Sequence, residues 1–176
     1  MNYPVLEHIN DPSDLRSLSL KDLEQLAESL REFIQTETST KAGHIKSSLG
    51  VVELSIALHY HFQTPEDILI WDVGHQAYAH KVLCGRRTSF HTNRQKGGIS
   101  GFTKRSESEY DPFGSGHSSA SISALAGFIK AAELDKIHRK HIAVIGDGAI
   151  TGGQAFEAIN YLGEEQANCL IVFNDN

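Results

Sequence analysis

Leu23, Leu26, Ala27, Leu30, Phe33 and Ile34 recur at three- and four-residue intervals, which puts apolar side chains on one face of a helix. Ser19 followed by Asp22 resembles a capping box and predicts the helix start there. Upstream, residues 1–18 read as an N-terminal arm, extended to residue 16, with Asn10-Asp11-Pro12 as turn chemistry. A Thr/Ser/Lys/Gly linker over Thr36–Gly43 leads to a second, more apolar helix around Val51–Tyr60. After Pro65-Glu66-Asp67 comes a short apolar run, Ile68–Trp71, and then a helical stretch from Gln76 to Cys84. Residues 86–118 show no period, and a loop that long inside a compact domain is usually functional. Ser121–Leu134 reads as a helix whose small residues Ala124, Ala126 and Gly127 allow close packing. His141–Ile145 and Cys169–Phe173 are apolar runs separated by a helix over Gly153–Leu162. Strands alternating with helices predict an α/β fold, a parallel sheet with helices on both faces, with residues 19–176 as its domain.

Composition narrows the function classes. The 176 residues are 40% hydrophobic and 22% charged, an ordinary globular balance. A net charge of -6 excludes a broad basic footprint for nucleic acid. The two cysteines, Cys84 and Cys169, make neither a disulfide framework nor a CxxC metal pattern, so a reducing compartment is the expectation. No secretory or Arg-rich transit segment is visible at the N-terminus, and no apolar run is long enough to span a membrane.

Candidate chemistry gathers at the predicted strand ends. If the last two apolar runs are parallel strands joined by a helical crossover, Gly146-Asp147-Gly148 follows one and Asn174-Asp175-Asn176 follows the other. Ligands bind at that carboxyl edge in open α/β sheets. A hard divalent cation takes oxygen ligands, commonly one or two protein groups with phosphate and water. One carboxylate and one Asn carbonyl suit it, flanking glycines let backbone approach a diphosphate, and a following helix start adds N–H donors. Singly, Gly-Asp-Gly is a tight turn and Asn-Asp-Asn a cap; the pairing on successive strand ends is what carries weight.

Three histidines also stand beside glycine: Gly43-His44, Gly74-His75 and Gly116-His117. A neutral histidine can shuttle a proton or donate to a phosphate, although an isolated Gly-His is more often structural. Gly114-Ser115-Gly116-His117-Ser118-Ser119 differs, because its N–H and hydroxyl groups lead into a helix and suit an anion.

Gly146-Asp147-Gly148 with a later Asn-containing end resembles the thiamine-diphosphate binding motif. The histidine and Gly-Ser elements, in this order, resemble the transketolase-like branch of that family, and most closely the 1-deoxy-D-xylulose-5-phosphate synthases. The matching stretches are Asp72-Val73-Gly74-His75-Gln76-Ala77-Tyr78 with His80-Lys81 and Gly85-Arg86-Arg87, Arg94-Gln95-Lys96-Gly97-Gly98, Glu107-Ser108-Glu109-Tyr110-Asp111, Gly116-His117-Ser118-Ser119, and Gly146–Gly153. Transketolases usually carry a further Pro-Gly-His before the Gly-rich turn, where this chain has Phe102-Thr103-Lys104-Arg105. Cys84 and Ala120 stand where the synthases usually have Thr, at positions not expected to touch the chemistry.

The resemblance implies a thiamine-diphosphate-binding fold and a transferase that decarboxylates pyruvate and joins the remainder to D-glyceraldehyde 3-phosphate. The product would be 1-deoxy-D-xylulose 5-phosphate, which opens non-mevalonate isoprenoid synthesis and feeds thiamine and pyridoxal phosphate synthesis. It further implies thiamine diphosphate and Mg²⁺ as cofactors, with Asp147 and Asn176 as metal ligands. His44 becomes the catalytic candidate and a cofactor neighbour, Lys46 beside it reading as a solvated lysine. His75, Ser115, Gly116 and His117 would line the cofactor, and Gly146, Gly148 and Ala149 would present backbone to its diphosphate. The family also implies a homodimer, no nucleic-acid or membrane partner, and a bacterial cytosol or plastid stroma. Its second α/β domain and the metal's backbone carbonyl ligand have no counterpart here, so the chain reads as an N-terminal fragment, inactive alone. A subunit of a split transketolase-like enzyme and a non-catalytic remnant module are the alternatives.

Overall fold

The computed structural model describes residues 3–39, 43 and 45–175. His44 and Asn176, both singled out above, lie outside the described residues. In chain order the elements are α1 (Leu20–Thr38), α2 (Ile45–Leu49), α3 (Val52–His61), β1 (Ile68–Trp71), α4 (Tyr78–Lys81), α5 (Ser121–Asp135), β2 (His141–Gly146), α6 (Asp147–Ile150), α7 (Gly153–Glu164) and β3 (Leu170–Asn174). The chain divides into two compact units, residues 1–63 with 75–101 and residues 64–74 with 102–176.

In the first unit α1 starts at the expected cap. The Ser19 hydroxyl accepts from the Asp22 amide at 3.3 Å, and the Asp22 carboxylate accepts from the Ser19 amide. The predicted apolar face is the one that packs, with Leu26, Leu30 and Ile34 fully buried. The extended conformation expected upstream is not what forms. Leu6–His8 and Pro12–Ser17 are 3₁₀ helices, and Leu6, Ile9 and Leu15 join the core with α1. The reason is local: Asp11 and Asp14 cap one another's backbone amides around Pro12 at the helix start. The turn chemistry was correctly placed, but its apolar neighbours had a core to fill.

The stretch expected as one helix from Gln76 to Cys84 is shorter and bent. α4 passes into a π turn, Val82–Arg86, broken at Cys84 (φ -95°, ψ 41°) and Gly85 (φ 81°). A Cβ on Gly85 would stand 3.2 Å from the Asn10 carbonyl oxygen, so the bend suits a glycine twice over.

The second unit carries the sheet, in the order β1-β2-β3 and parallel throughout. Trp71 stands opposite Val144, and Gly146 opposite Asn174. Ile68, Ile70, Ala143 and Ile145 share a cluster with Ile122, Leu125 and Ile129 of α5 and Ala155, Ala158 and Leu162 of α7. Leu69, Trp71, Ile142 and Val144 are equally buried, the two-sided burial of parallel strands. This is the α/β fold that the alternation of elements predicted, three parallel strands with helices around them. β3 at the edge is only partly covered, with Leu170 and Phe173 exposed. The short helix α6 was not foreseen, because Gly146-Asp147-Gly148 reads locally as a turn. No helix among the described residues is long and apolar enough to cross a membrane.

Candidate functional site at the carboxyl edge of the sheet

In the second unit the end of β1 is a clamp. Past Trp71, the Asp72 amide donates to the Val144 carbonyl at 2.8 Å, and the chain then turns through positive φ at Val73 (58°) and Gly74 (81°). Asp72 is 1% exposed. Its two carboxylate oxygens accept from the amides of Ser119 and Ser121, each at 2.9 Å. No side chain caps α5 from its own N-cap residue, Ala120. Asp72 does so from the neighbouring strand, where a negative charge also meets the favourable end of the helix dipole.

The same clamp shapes the Gly-Ser loop. Ser115 donates its amide to the Thr103 carbonyl at 3.2 Å and shares its hydroxyl with Thr103 Oγ1 at 2.7 Å. Thr103 Oγ1 donates in turn to the Phe113 carbonyl, and Asp111, 1% exposed, accepts from the Lys104 amide at 2.7 Å. The loop is thereby closed on itself. A Cβ on Gly74 would lie 2.5 Å from Ser115 Oγ and 2.9 Å from the Thr103 amide nitrogen, so β1 and the loop meet only because Gly74 has no side chain. Gly116 (φ 140°) and His117 then face solvent.

Ser119 ties this loop to the end of β2. It has φ 69°, is 7% exposed, and donates its hydroxyl to the Ala149 carbonyl at 2.6 Å. A Cβ on Gly152 would sit 2.2 Å from Ser119 Oγ, so Gly152 too is dictated by close approach.

Asp147 opens α6 just beyond β2 and is exposed, as is Gly148. A Cβ added at Gly114, Gly148 or Gly153 would meet nothing within 4 Å. The first amides of a helix have no intrahelical acceptor, and Gly146 at the N-cap has no side chain to offer one. Asn174 closes β3 opposite Gly146, with Asp175 exposed after it.

The structure thus gathers Ser115, Gly116, His117, Gly146, Asp147, Gly148 and Ala149 within one unit, on loops joined by the Ser119 bond. His75 belongs to the first unit, half-buried, its carbonyl accepting from the Ser48 hydroxyl at 3.0 Å. Lys46 is exposed. Sequence reasoning missed Asp72, Thr103, Asp111 and Ser119 as the groups that hold the loops. A strand-end aspartate before Val-Gly was a visible signal, but its amide partners lie far along the chain.

A model of the 1-deoxy-D-xylulose-5-phosphate synthase family matches residues 6–176. The chain belongs to that family. It is 58% identical over 98% of its length to the synthase of Cytophaga hutchinsonii, and 56% identical over 99% to that of Chromobacterium violaceum. It spans 27% and 28% of those synthases, so it corresponds to one part of the family's polypeptide. Its fold matches a transketolase from Leishmania mexicana with a TM-score of 0.71 at 18% identity, covering 88% of this chain and 27% of that one. In the synthase family's terms, the clamp and the open strand end both lie inside the matched segment.

Proposed function

We propose that this segment holds the diphosphate and Mg²⁺ of thiamine diphosphate in an enzyme that makes 1-deoxy-D-xylulose 5-phosphate from pyruvate and D-glyceraldehyde 3-phosphate. The observation that carries the reading is the open carboxyl edge of β2, where exposed Asp147 stands beside a Gly-Ser loop fastened by the Ser119 hydroxyl to the Ala149 carbonyl. Family membership supports it. The residues present fit the group: a carboxylate suits a hard cation, and glycines with room around them suit close approach of a diphosphate.

In this reading Asp147 and Asn176 hold the metal, and the backbone amides of Gly148 and Ala149 serve the diphosphate. Ser115, Gly116 and His117 line the bound cofactor, with Thr103 fixing the direction of the Ser115 hydroxyl. His75 lies by the cofactor, and His44 moves the proton at the reacting centre. When bound, thiamine diphosphate supplies the electron sink for decarboxylation, and the protein supplies orientation and electrostatics. Activity requires the rest of the polypeptide, the assembly is a homodimer, and the setting is the bacterial cytosol or a plastid stroma.

Calorimetric titration of thiamine diphosphate with Mg²⁺ into full-length protein tests the reading. Asp147→Ala is expected to lower affinity by about 100-fold, the scale of losing a metal ligand or its support; unchanged affinity would refute the assignment. His44→Ala is expected to reduce turnover far more than affinity, and equal losses would remove its catalytic role.

A further inference from the structure

The first unit contains a second constellation that the synthase reading does not use. His59 on α3, His80 on α4 and Cys84 in the π turn bring their ligand atoms together, all within 4.8 Å of one another. His59 Nε2 lies 2.9 Å from His80 Nδ1, and Cys84 Sγ lies 3.6 Å from each. The two histidines are 0% exposed and Cys84 is 5% exposed.

Sequence and backbone both contribute. His80 and Cys84 are four residues apart, the interval that places two helical side chains on one face. The chain leaves helical φ/ψ at Cys84 and kinks through positive φ at Gly85. Without an ion the imidazoles share a proton, their rings 19° apart in plane and 5.1 Å between centroids.

We propose that His59 Nε2, His80 Nδ1 and Cys84 Sγ form a buried three-ligand site for a thiophilic d¹⁰ cation, Cu⁺ in preference to Zn²⁺. Metal–nitrogen bonds of about 2.0 Å and a metal–sulfur bond of about 2.3 Å require N···S separations of about 3.6 Å, which the cluster already has. The two nitrogens, now at 2.9 Å, open to about 3.3 Å when an ion enters. Imidazole and thiolate are the donors soft and borderline ions select. Binding releases the Cys84 thiol proton to solvent, and one imidazole changes tautomer so that each ring carries its proton on the nitrogen away from the ion.

Charge decides between the ions. Arg86 and Arg16 act on His59 electrostatically, so the buried cluster already lies in a positive field. A monovalent ion with a thiolate is neutral beside those guanidiniums. A divalent one leaves a buried positive charge and calls for a fourth ligand.

The test titrates Cu⁺, anaerobically and against bicinchoninate, into reduced full-length protein, with a parallel Zn²⁺ titration against a chromophoric chelator. One equivalent of Cu⁺ is expected to bind about 100-fold more tightly to wild type and Cys169→Ser than to Cys84→Ser. In wild-type protein that equivalent should also protect Cys84, but not Cys169, from alkylation, a readout independent of how any variant folds. Identical competition by wild type and Cys84→Ser, or no protection of Cys84, would overturn the site. Tight Zn²⁺ binding without Cu⁺ binding would overturn the choice of ion.

Discussion

Asp72 and Asp147 each follow a strand of the same parallel sheet, at the same carboxyl edge, with a glycine within two residues. Asp72 is 1% exposed and spends both carboxylate oxygens on the amides that start α5. Asp147 is exposed, opens a four-residue helix, and is followed by a glycine with empty space around its absent side chain. Position at a strand end is therefore not enough to mark a ligand. What separates the two is whether the protein has already satisfied the carboxylate. The first aspartate fastens a helix start, and the second stands exposed, as the metal role proposed for it requires.

The sharpest way to break this contrast is Asp72→Ala. It removes a charged acceptor from two buried amides and is expected to lower stability by about 3 kcal/mol, read by urea unfolding of the full-length protein. A loss under about 1 kcal/mol would mean the clamp is dispensable. Gly74→Ala comes next. The positive φ and the approach of Ser115 Oγ at 2.5 Å to the new methyl predict a loss of about 2 kcal/mol, and a crystal structure should show the Gly-Ser loop displaced.

The same distinction between closed and open groups applies to histidine. Burial, ahead of the charge of nearby groups, holds the folded-state pKa of His59 and His141 below the ordinary value, whereas His117 is exposed. The unfolded chain therefore takes up protons that the folded chain refuses. Stability is full above the unfolded pKa of about 6.5 and falls as pH drops below it, by up to about 1.4 kcal/mol per pH unit for each group. Unfolding midpoints from pH 7.5 to 5 should show this, and His141→Gln should flatten the slope; an unchanged slope contradicts the assignment for His141. The smallest effect belongs to Asp147→Ala, expected to change stability by under about 0.5 kcal/mol in the same urea assay while cofactor affinity collapses. A large stability loss there would erase the difference between the two aspartates.

Much of the fold was legible from local pattern. β1 is the run Ile68–Trp71 as read, α5 and α7 match within a residue or two, and α1 begins at the Ser19–Asp22 box. These agree because apolar period and capping chemistry act over a few residues. The departures are where a distant core or a bend overrode the local signal: Leu6, Ile9 and Leu15 drawn into 3₁₀ turns, and the helix through His80 interrupted at Cys84 and Gly85.

The candidate site divides the same way. By itself the sequence determined the α/β order, the family, and the residue types at the strand ends, because those rest on short motifs and on alternation. Only the tertiary structure decided that Asp72 caps a helix begun far along the chain. It also decided that Ser119 latches onto Ala149 and that His59 meets His80 and Cys84. Each of these joins residues whose separation is set by packing, and burial, which turns a polar residue into either a structural clamp or a free ligand, exists only once the chain has folded.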